Sequence, residues 1–161
     1  MDRIGRSLAV IAKEHPSLTI VFPIHKNPVV RESLLKYLEN RQNVIVTEPL
    51  DYGQFCRMLN RCTIVLTDSG GVQEEAPALG KPVVVMRDTT ERPEAVDCGA
   101  AELVGTDERK IVEAVAGLLR QPDLASRPRR SPYGDGHAAR RCVLAMEAFL
   151  FGGPMPEEFE F

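Results

Sequence analysis

Four short apolar runs, separated by segments of helical spacing, restrict the fold of this chain more than any other feature. The runs lack polar alternation and lie at residues 18–22, 43–47, 63–66 and 82–86. Between them, helical spacing is found at residues 29–38, at residues 52–60, and from the Gly-Gly pair to residue 79. Strands without alternation are typical of a parallel sheet that is covered on both faces. The pattern therefore predicts an α/β fold with a doubly wound, mostly parallel, Rossmann-like sheet.

The flanking segments extend this pattern and raise a question about its completeness. A helix is expected at 4–13, a strand at 101–104, a helix at 108–119, a Pro- and Arg-rich linker at 121–136 and a last helix at 137–149. We assign one domain to residues 1–150 and a tail to residues 151–161. Doubly wound domains usually open on a strand, whereas this chain opens on a helix. Either the first strand is missing, or the sheet is completed from elsewhere.

Composition excludes several classes of function. The net charge of −3 and the pI near 5.7 argue against a general nucleic-acid or membrane-surface binder. No apolar run approaches the roughly 20 residues that span a bilayer. The four cysteines and three histidines are scattered without metal-ligand spacing, so we expect no metal site and reduced thiols. A cytoplasmic location is the expectation that follows.

The segment LTDSGGVQEE, which begins at Leu66, carries the clearest chemical signal. Ser69 and Gly70 follow a predicted buried strand and open a helix, where unpaired N–H groups and the helix dipole favour an anion. A plain strand-to-helix turn that needs its glycines is the structural alternative. Neither a P-loop nor a GxGxxG motif is present. Glu74 and Glu75 follow, and either carboxylate suits the helix dipole or the hydroxyl groups of a sugar.

Three other side chains are candidates by position, each with a structural alternative. Arg92 precedes Pro93 near another predicted helix start, in a polar loop that is either a phosphate site or a solvated surface. His25 also follows a strand, although most lone histidines are structural. Phe55 lies at helical spacing, where an aromatic residue usually belongs to the core and otherwise stacks on a base.

Four segments together resemble one enzyme family, the non-hydrolysing UDP-N-acetylglucosamine 2-epimerases, which interconvert UDP-GlcNAc and UDP-ManNAc. They are FPIHKNPVVRE, LTDSGGVQEEAPALGKPVVVMRDTTERPEAV, LVGTDERKIVEAV and SPYGDGHAA, in the order of the family. The resemblance extends to residue 149. It implies a glycosyltransferase-B type fold, in which two Rossmann-like domains hold the nucleotide sugar in the cleft between them. The chain is similar to the C-terminal, UDP-binding half, without its first strand.

The resemblance also implies roles for the candidate residues. Ser69 and Gly70 would bind the diphosphate, with Arg92 on the diphosphate side of the cleft. Glu75 would accept hydrogen bonds from the ribose hydroxyls, and Phe55 would lie along the uracil. No cofactor is implied.

His25 falls in the segment that lines a second UDP-GlcNAc site, an allosteric activator site, in bacterial members. The family mechanism eliminates UDP to give 2-acetamidoglucal and then adds UDP again. Its acid/base groups lie in the N-terminal domain, so we assign no catalytic residue to this chain.

Two hypotheses follow from the resemblance. The chain is either one half of an epimerase that requires a partner for the N-terminal domain, or a stand-alone UDP-sugar-binding module or inactive remnant. The family further implies UDP-GlcNAc or UDP as ligand, a homodimer, and a role in the biosynthesis of cell-surface polysaccharides.

The expected loss of a central strand yields a prediction about stability. In the strand order 3-2-1-4-5-6, the neighbours of the first strand would face each other across a gap or close up directly. We therefore predict marginal stability or aggregation of the chain when it is expressed alone. A cooperative, monomeric melt at high temperature would contradict this expectation.

Overall fold

The structure, a computed structural model that describes residues 1–121 and 131–159, consists of parallel βα units. Its strands are β1 (Ile20–Pro23), β2 (Val44–Thr47), β3 (Val65–Thr67), β4 (Val83–Val85) and β5 (Ala101–Leu103). Its helices are α1 (Asp2–Glu14), α2 (Pro28–Leu38), α3 (Tyr52–Arg61), α4 (Gly70–Ala78), α5 (Pro93–Asp97), α6 (Glu108–Leu119) and α7 (Ala138–Phe151). Most of the predicted linker, residues 122–130, lies outside the described residues, as do residues 160 and 161 of the predicted tail.

The helix starts have clear local causes. The side chains of Asn27, Asp51 and Asp107 accept hydrogen bonds from backbone N–H groups in the first turns of α2, α3 and α6. Pro28 occupies the first position of α2, where its missing N–H costs nothing. Such caps explain why these helices begin within one residue of their predicted starts. None of the helices in the described part of the chain combines the length and apolarity needed to cross a membrane.

The strands form two parallel sheets rather than one. β1 pairs with β2, Ile20 lying opposite Val44, while β4 lies between β3 and β5. Every pairing is parallel, which confirms the predicted Rossmann-like architecture. Among the described residues β1 and β3 are both edge strands. These two strands, the expected neighbours of a first, central strand, therefore do not close up into a ladder.

Helix α1 connects the two sheets. It packs between α2, which follows β1, and α6, which follows β5. One apolar cluster contains the buried side chains of α1, α2, α6 and β4, and apolar residues of β1 and β2 pack against it. Its members from the three helices are Ile4, Leu8, Ile11, Leu34, Leu38, Ile111 and Val115. The hydrophobic effect at this layer therefore holds together two sheets that share no ladder.

The opposite face is covered only in part. A second cluster joins α3, α4 and α5 to β3, β4 and β5, with Leu59, Ala76 and Ala95 among its buried members. Val21 and Ile45 face each other in register on β1 and β2, yet they are 42% and 49% exposed. The prediction that the strands are covered on both faces is thus correct for β3 and β4 and wrong for β1 and β2. The second apolar cluster contains no residue of β1 or β2 in the described part of the chain.

Two glycines provide a matched test of the α1 layer. A Cβ at Gly5 would overlap the Tyr37 ring of α2, whereas a Cβ at Gly117 of α6 meets no described atom within 4 Å. We expect Gly5→Ala to destabilise the chain by about 1–3 kcal/mol through overpacking. Gly117→Ala should stabilise it by about 0.5–1 kcal/mol, since alanine favours a helix interior. Chemical denaturation measures both, and equal effects would contradict the role of the α1–α2 contact.

Candidate functional site

The candidate site lies where the strands end. All strands are parallel, so the loops that follow them meet at the carboxyl edges of the sheets. In open α/β folds ligands bind at this edge. The loop after β3 carries Ser69, the loop after β4 carries Arg92, and the loop after β1 carries His25.

Ser69 is the N-cap of α4, and its backbone has the extended conformation that this position requires. Its N–H donates to Thr67 Oγ1 at 3.0 Å. In contrast to the caps of α2, α3 and α6, the Ser69 side chain makes no capping hydrogen bond among the described residues. The first turn of α4 therefore has backbone N–H donors without a side-chain acceptor, the arrangement in which a helix N-terminus binds an anion.

Arg92 brings a positive charge to the same place. A Cβ at Gly70 would lie 3.2 Å from Arg92 Cζ, so the guanidinium packs directly against this glycine. Arg92 Nε donates to Glu74 Oε1 at 2.7 Å, and the Arg92 side chain stays 31% exposed. The absence of a side chain at Gly70 therefore allows a guanidinium to approach the N-terminus of α4. Two of the predicted diphosphate positions are brought together.

The two glutamates of α4, whose roles the sequence leaves open, have different partners. Glu74 pairs with Arg92, while Glu75 Oε1 accepts a hydrogen bond from the Tyr52 hydroxyl at 3.3 Å. A hydrogen bond to Cys56 and the nearby Glu75 carboxylate raise the pKa of Tyr52, which keeps its hydroxyl protonated as a donor. Glu74 thus balances the guanidinium, and Glu75 faces α3.

A buried polar connection that the sequence did not reveal links the two loops. Gln73 is fully buried; its Nε2 donates to the Ser69 carbonyl at 3.3 Å and its Oε1 accepts from Thr90 Oγ1 at 2.6 Å. Thr90 Oγ1 in turn accepts from the Arg92 N–H at 3.0 Å. In the sequence, the indication of this role is that Gln73, a polar residue, lies four positions after Ser69 on the face of α4 that also carries buried Ala76.

Further groups that the sequence did not assign fix the loop after β4. The Tyr133 hydroxyl donates to the Arg92 carbonyl at 3.4 Å, and burial raises the pKa of Tyr133. Arg87 makes a two-bond contact with Glu91, at 2.9 and 2.8 Å, which lowers the pKa of the Glu91 carboxyl. The backbone that presents Arg92 is therefore held from both sides.

The remaining predicted residues, Phe55 and His25, are not part of the hydrogen bonds that join Ser69, Gln73, Thr90 and Arg92. Phe55 is partly buried against the second apolar cluster, one turn after Tyr52 on α3, so it belongs at least in part to the core. His25 is exposed in the loop that follows β1 of the two-stranded sheet. Its Nδ1 accepts from the Asn27 N–H at 3.1 Å. The structure thus gives His25 a local contact in its own loop.

Fold and site together define a Rossmann-like α/β protein in which a guanidinium lies beside the N-terminus of a helix. The family description "UDP-N-acetylglucosamine 2-epimerase" matches residues 1–147. The chain belongs to the UDP-N-acetylglucosamine 2-epimerase family, as the motifs predicted.

Individual relatives agree with this assignment. UDP-N-acetylglucosamine 2-epimerase of Yersinia pestis is 49% identical over 148 residues, which are 91% of this chain and 39% of the relative. The UDP-GlcNAc 2-epimerase of Neisseria meningitidis, crystallised with UDP-GlcNAc, has a TM-score of 0.83 and 42% identity over 88% of this chain and 39% of its own. Staphylococcus aureus MnaA, solved with UDP, has a TM-score of 0.90 and 36% identity over 99% of this chain and 45% of its own. The chain thus spans less than half the length of these relatives.

Proposed function

We propose that this chain is the C-terminal, UDP-binding half of a UDP-N-acetylglucosamine 2-epimerase, which interconverts UDP-GlcNAc and UDP-ManNAc. The observation that carries the proposal is the Arg92 guanidinium packed against Gly70, at the N-terminus of α4. The solved relatives support it, because one contains UDP-GlcNAc and another contains UDP.

The diphosphate would bind between the first turn of α4 and Arg92. The Gly70 N–H and the exposed Ser69 hydroxyl are neutral donors, and the guanidinium adds charge-assisted ones. Glu74 already holds Arg92 Nε, which orients the planar guanidinium. Arg92 Nη1 lies 3.6 Å from Glu91 Oε2, so a phosphate would compete with Glu91 for the Nη groups. Binding of a dianion here is favourable because the helix dipole and Arg92 are both positive.

The nucleoside would extend from this point towards α3. Glu75 already accepts a hydrogen bond from the Tyr52 hydroxyl, which supports a role as acceptor for the ribose hydroxyls. Phe55 lies on the same helix as Tyr52, which supports a position beside the uracil. His25, in the loop after β1 of the other sheet, is proposed for a second UDP-GlcNAc site.

In the proposed reaction, this chain holds the leaving group. As the bond between the sugar and UDP breaks, negative charge grows on the diphosphate, and Arg92 with the α4 N-terminus would stabilise that charge. The carboxylates that move the C2 proton are proposed to lie in the N-terminal domain. Because the chain spans only 39% of the Yersinia pestis relative, it would bind UDP alone but turn over substrate only with that domain. A stand-alone UDP-sugar-binding module is the alternative.

Exposed apolar side chains on α7 and the state of the cysteines bear on the partners and the location of the protein. Apolar side chains of α7, such as Phe149 and Phe151, are 86% and 83% exposed, which supports a partner surface for the N-terminal domain or a second copy in a homodimer. The four cysteines are free, which supports a reducing, cytoplasmic location.

Calorimetric titration with UDP tests the proposal. We expect binding by the chain, and we expect Arg92→Ala to weaken it by roughly 1.5–3 kcal/mol, or about ten- to hundred-fold, through loss of charge-assisted hydrogen bonds. Ser69→Ala should have a smaller effect in the same direction. Arg109→Ala is the matched control, because it removes the same charge from a side chain that is 85% exposed on α6.

Two outcomes would contradict the proposal: absence of UDP binding by the parent chain, or equal losses in Arg92→Ala and Arg109→Ala. A parallel assay for UDP-ManNAc separates the two hypotheses. Formation of product only after addition of an N-terminal domain supports the half-enzyme, whereas binding without product under both conditions supports the module or the inactive remnant.

A further inference from the structure

We propose that Gln73 is a positioning residue for the diphosphate site, which aligns the Ser69 turn with the loop that carries Arg92. The inference rests on the proposed function and adds a residue that does not itself contact the ligand. Gln73 is fully buried, so it would act through Ser69 and Thr90.

The connection runs through consecutive hydrogen bonds. Gln73 Nε2 donates to the Ser69 carbonyl, and Gln73 Oε1 accepts from the Thr90 hydroxyl. The Thr90 oxygen also accepts from the Arg92 N–H, immediately before α5 begins. The loops after β3 and β4 approach each other here, and a single amide spans the space between them. A displacement of either loop would break a hydrogen bond to the fully buried Gln73 amide and leave one of its polar atoms without a partner.

The chemistry of the site requires an amide. The Ser69 carbonyl needs a donor and the Thr90 hydroxyl needs an acceptor, and the glutamine amide provides both at one end of the side chain. A carboxylate would lose the donor and bury a charge, whereas methionine fills a similar volume and offers neither strong bond. Helix packing alone would favour an apolar residue at this buried position. The polar residue is therefore explained by the two loops that it joins.

This alignment matters for binding because the ligand would contact both loops. The Ser69–Gly70 turn and the Arg92 side chain lie on different βα units, and a diphosphate must reach both at once. Sites of this kind depend on supporting hydrogen bonds that fix the loops before the ligand arrives. A substitution of Gln73 would therefore weaken UDP binding by more than its effect on the stability of the fold explains.

A double-mutant cycle with Gln73→Met and Thr90→Val tests the inference. UDP affinity is measured by calorimetry at a temperature at which every variant is folded, and thermal melts report stability. We expect each single substitution to weaken UDP binding about ten-fold, in line with the loss of an aligned contact. The double variant should be little weaker than either single one, because both changes break the same connection.

Val115→Ala is the control for a purely structural effect. Val115 is buried in the α1–α6 layer, on the opposite face from Gln73, and its truncation should lower the melting temperature. We expect its UDP affinity to stay within about two-fold of the parent value, since distant sites act independently.

The inference would be overturned if Gln73→Met and Thr90→Val bind UDP as the parent does, if their effects simply add, or if Val115→Ala weakens binding equally. Thr90→Val keeps the test decisive where Gln73→Met does not fold, because it breaks the same connection at a half-buried loop residue. A parent chain that does not bind UDP overturns the proposed function, and this inference with it.

Discussion

The packing of α1 between α2 and α6 is the contact on which the rest of this structure depends. β1–β2 and β3–β5 share no ladder in the described residues, so backbone hydrogen bonds do not hold the two sheets in one layer. The apolar cluster around Leu8 and Ile11 does so instead, and the Asn43 amide adds hydrogen bonds to the carbonyls of Ala12, His15 and Leu18. The second layer of helices covers the β1–β2 sheet only in part, so Val21 and Ile45 remain 42% and 49% exposed.

The candidate site lies on the better supported of the two sheets. β3 and β4 are covered on both faces, and the loops that follow them carry Ser69 and Arg92. A guanidinium beside a helix N-terminus is an unfavourable pair of like charges, and the carboxylates of Glu74 and Glu91, at 2.7 and 3.6 Å from the guanidinium, offset it in this structure. The close approach of Arg92 to Gly70 supports the anionic ligand that we propose. The family assignment makes a UDP-sugar the ligand that we propose.

Much of this fold was predictable from sequence because its determinants are local. Unalternated apolar runs predicted the strands, and helical spacing predicted the starts of α2, α3 and α6 to within one residue of those in the structure. The helix at the start of the chain indicated an incomplete sheet, but whether its two parts separate or close up could not be predicted, since strand pairing is not a local property. The different partners of Glu74 and Glu75, Arg92 and Tyr52, could not be predicted, and neither could the role of Gln73. They depend on which loop faces which helix, and that is set by tertiary packing.

The most direct test of the central claim, that the α4 N-terminus and Arg92 form a diphosphate site, compares UDP with uridine by NMR. In a 15N-labelled chain, UDP should produce its largest amide shifts at Gly70 and its neighbours in the first turn of α4, together with a shift of Arg92 Nε–H. Uridine, which lacks the diphosphate, should leave these signals nearly unchanged, because no anion reaches the helix N-terminus. Equal shifts with both ligands, or an unperturbed Gly70 at saturating UDP, would contradict the account.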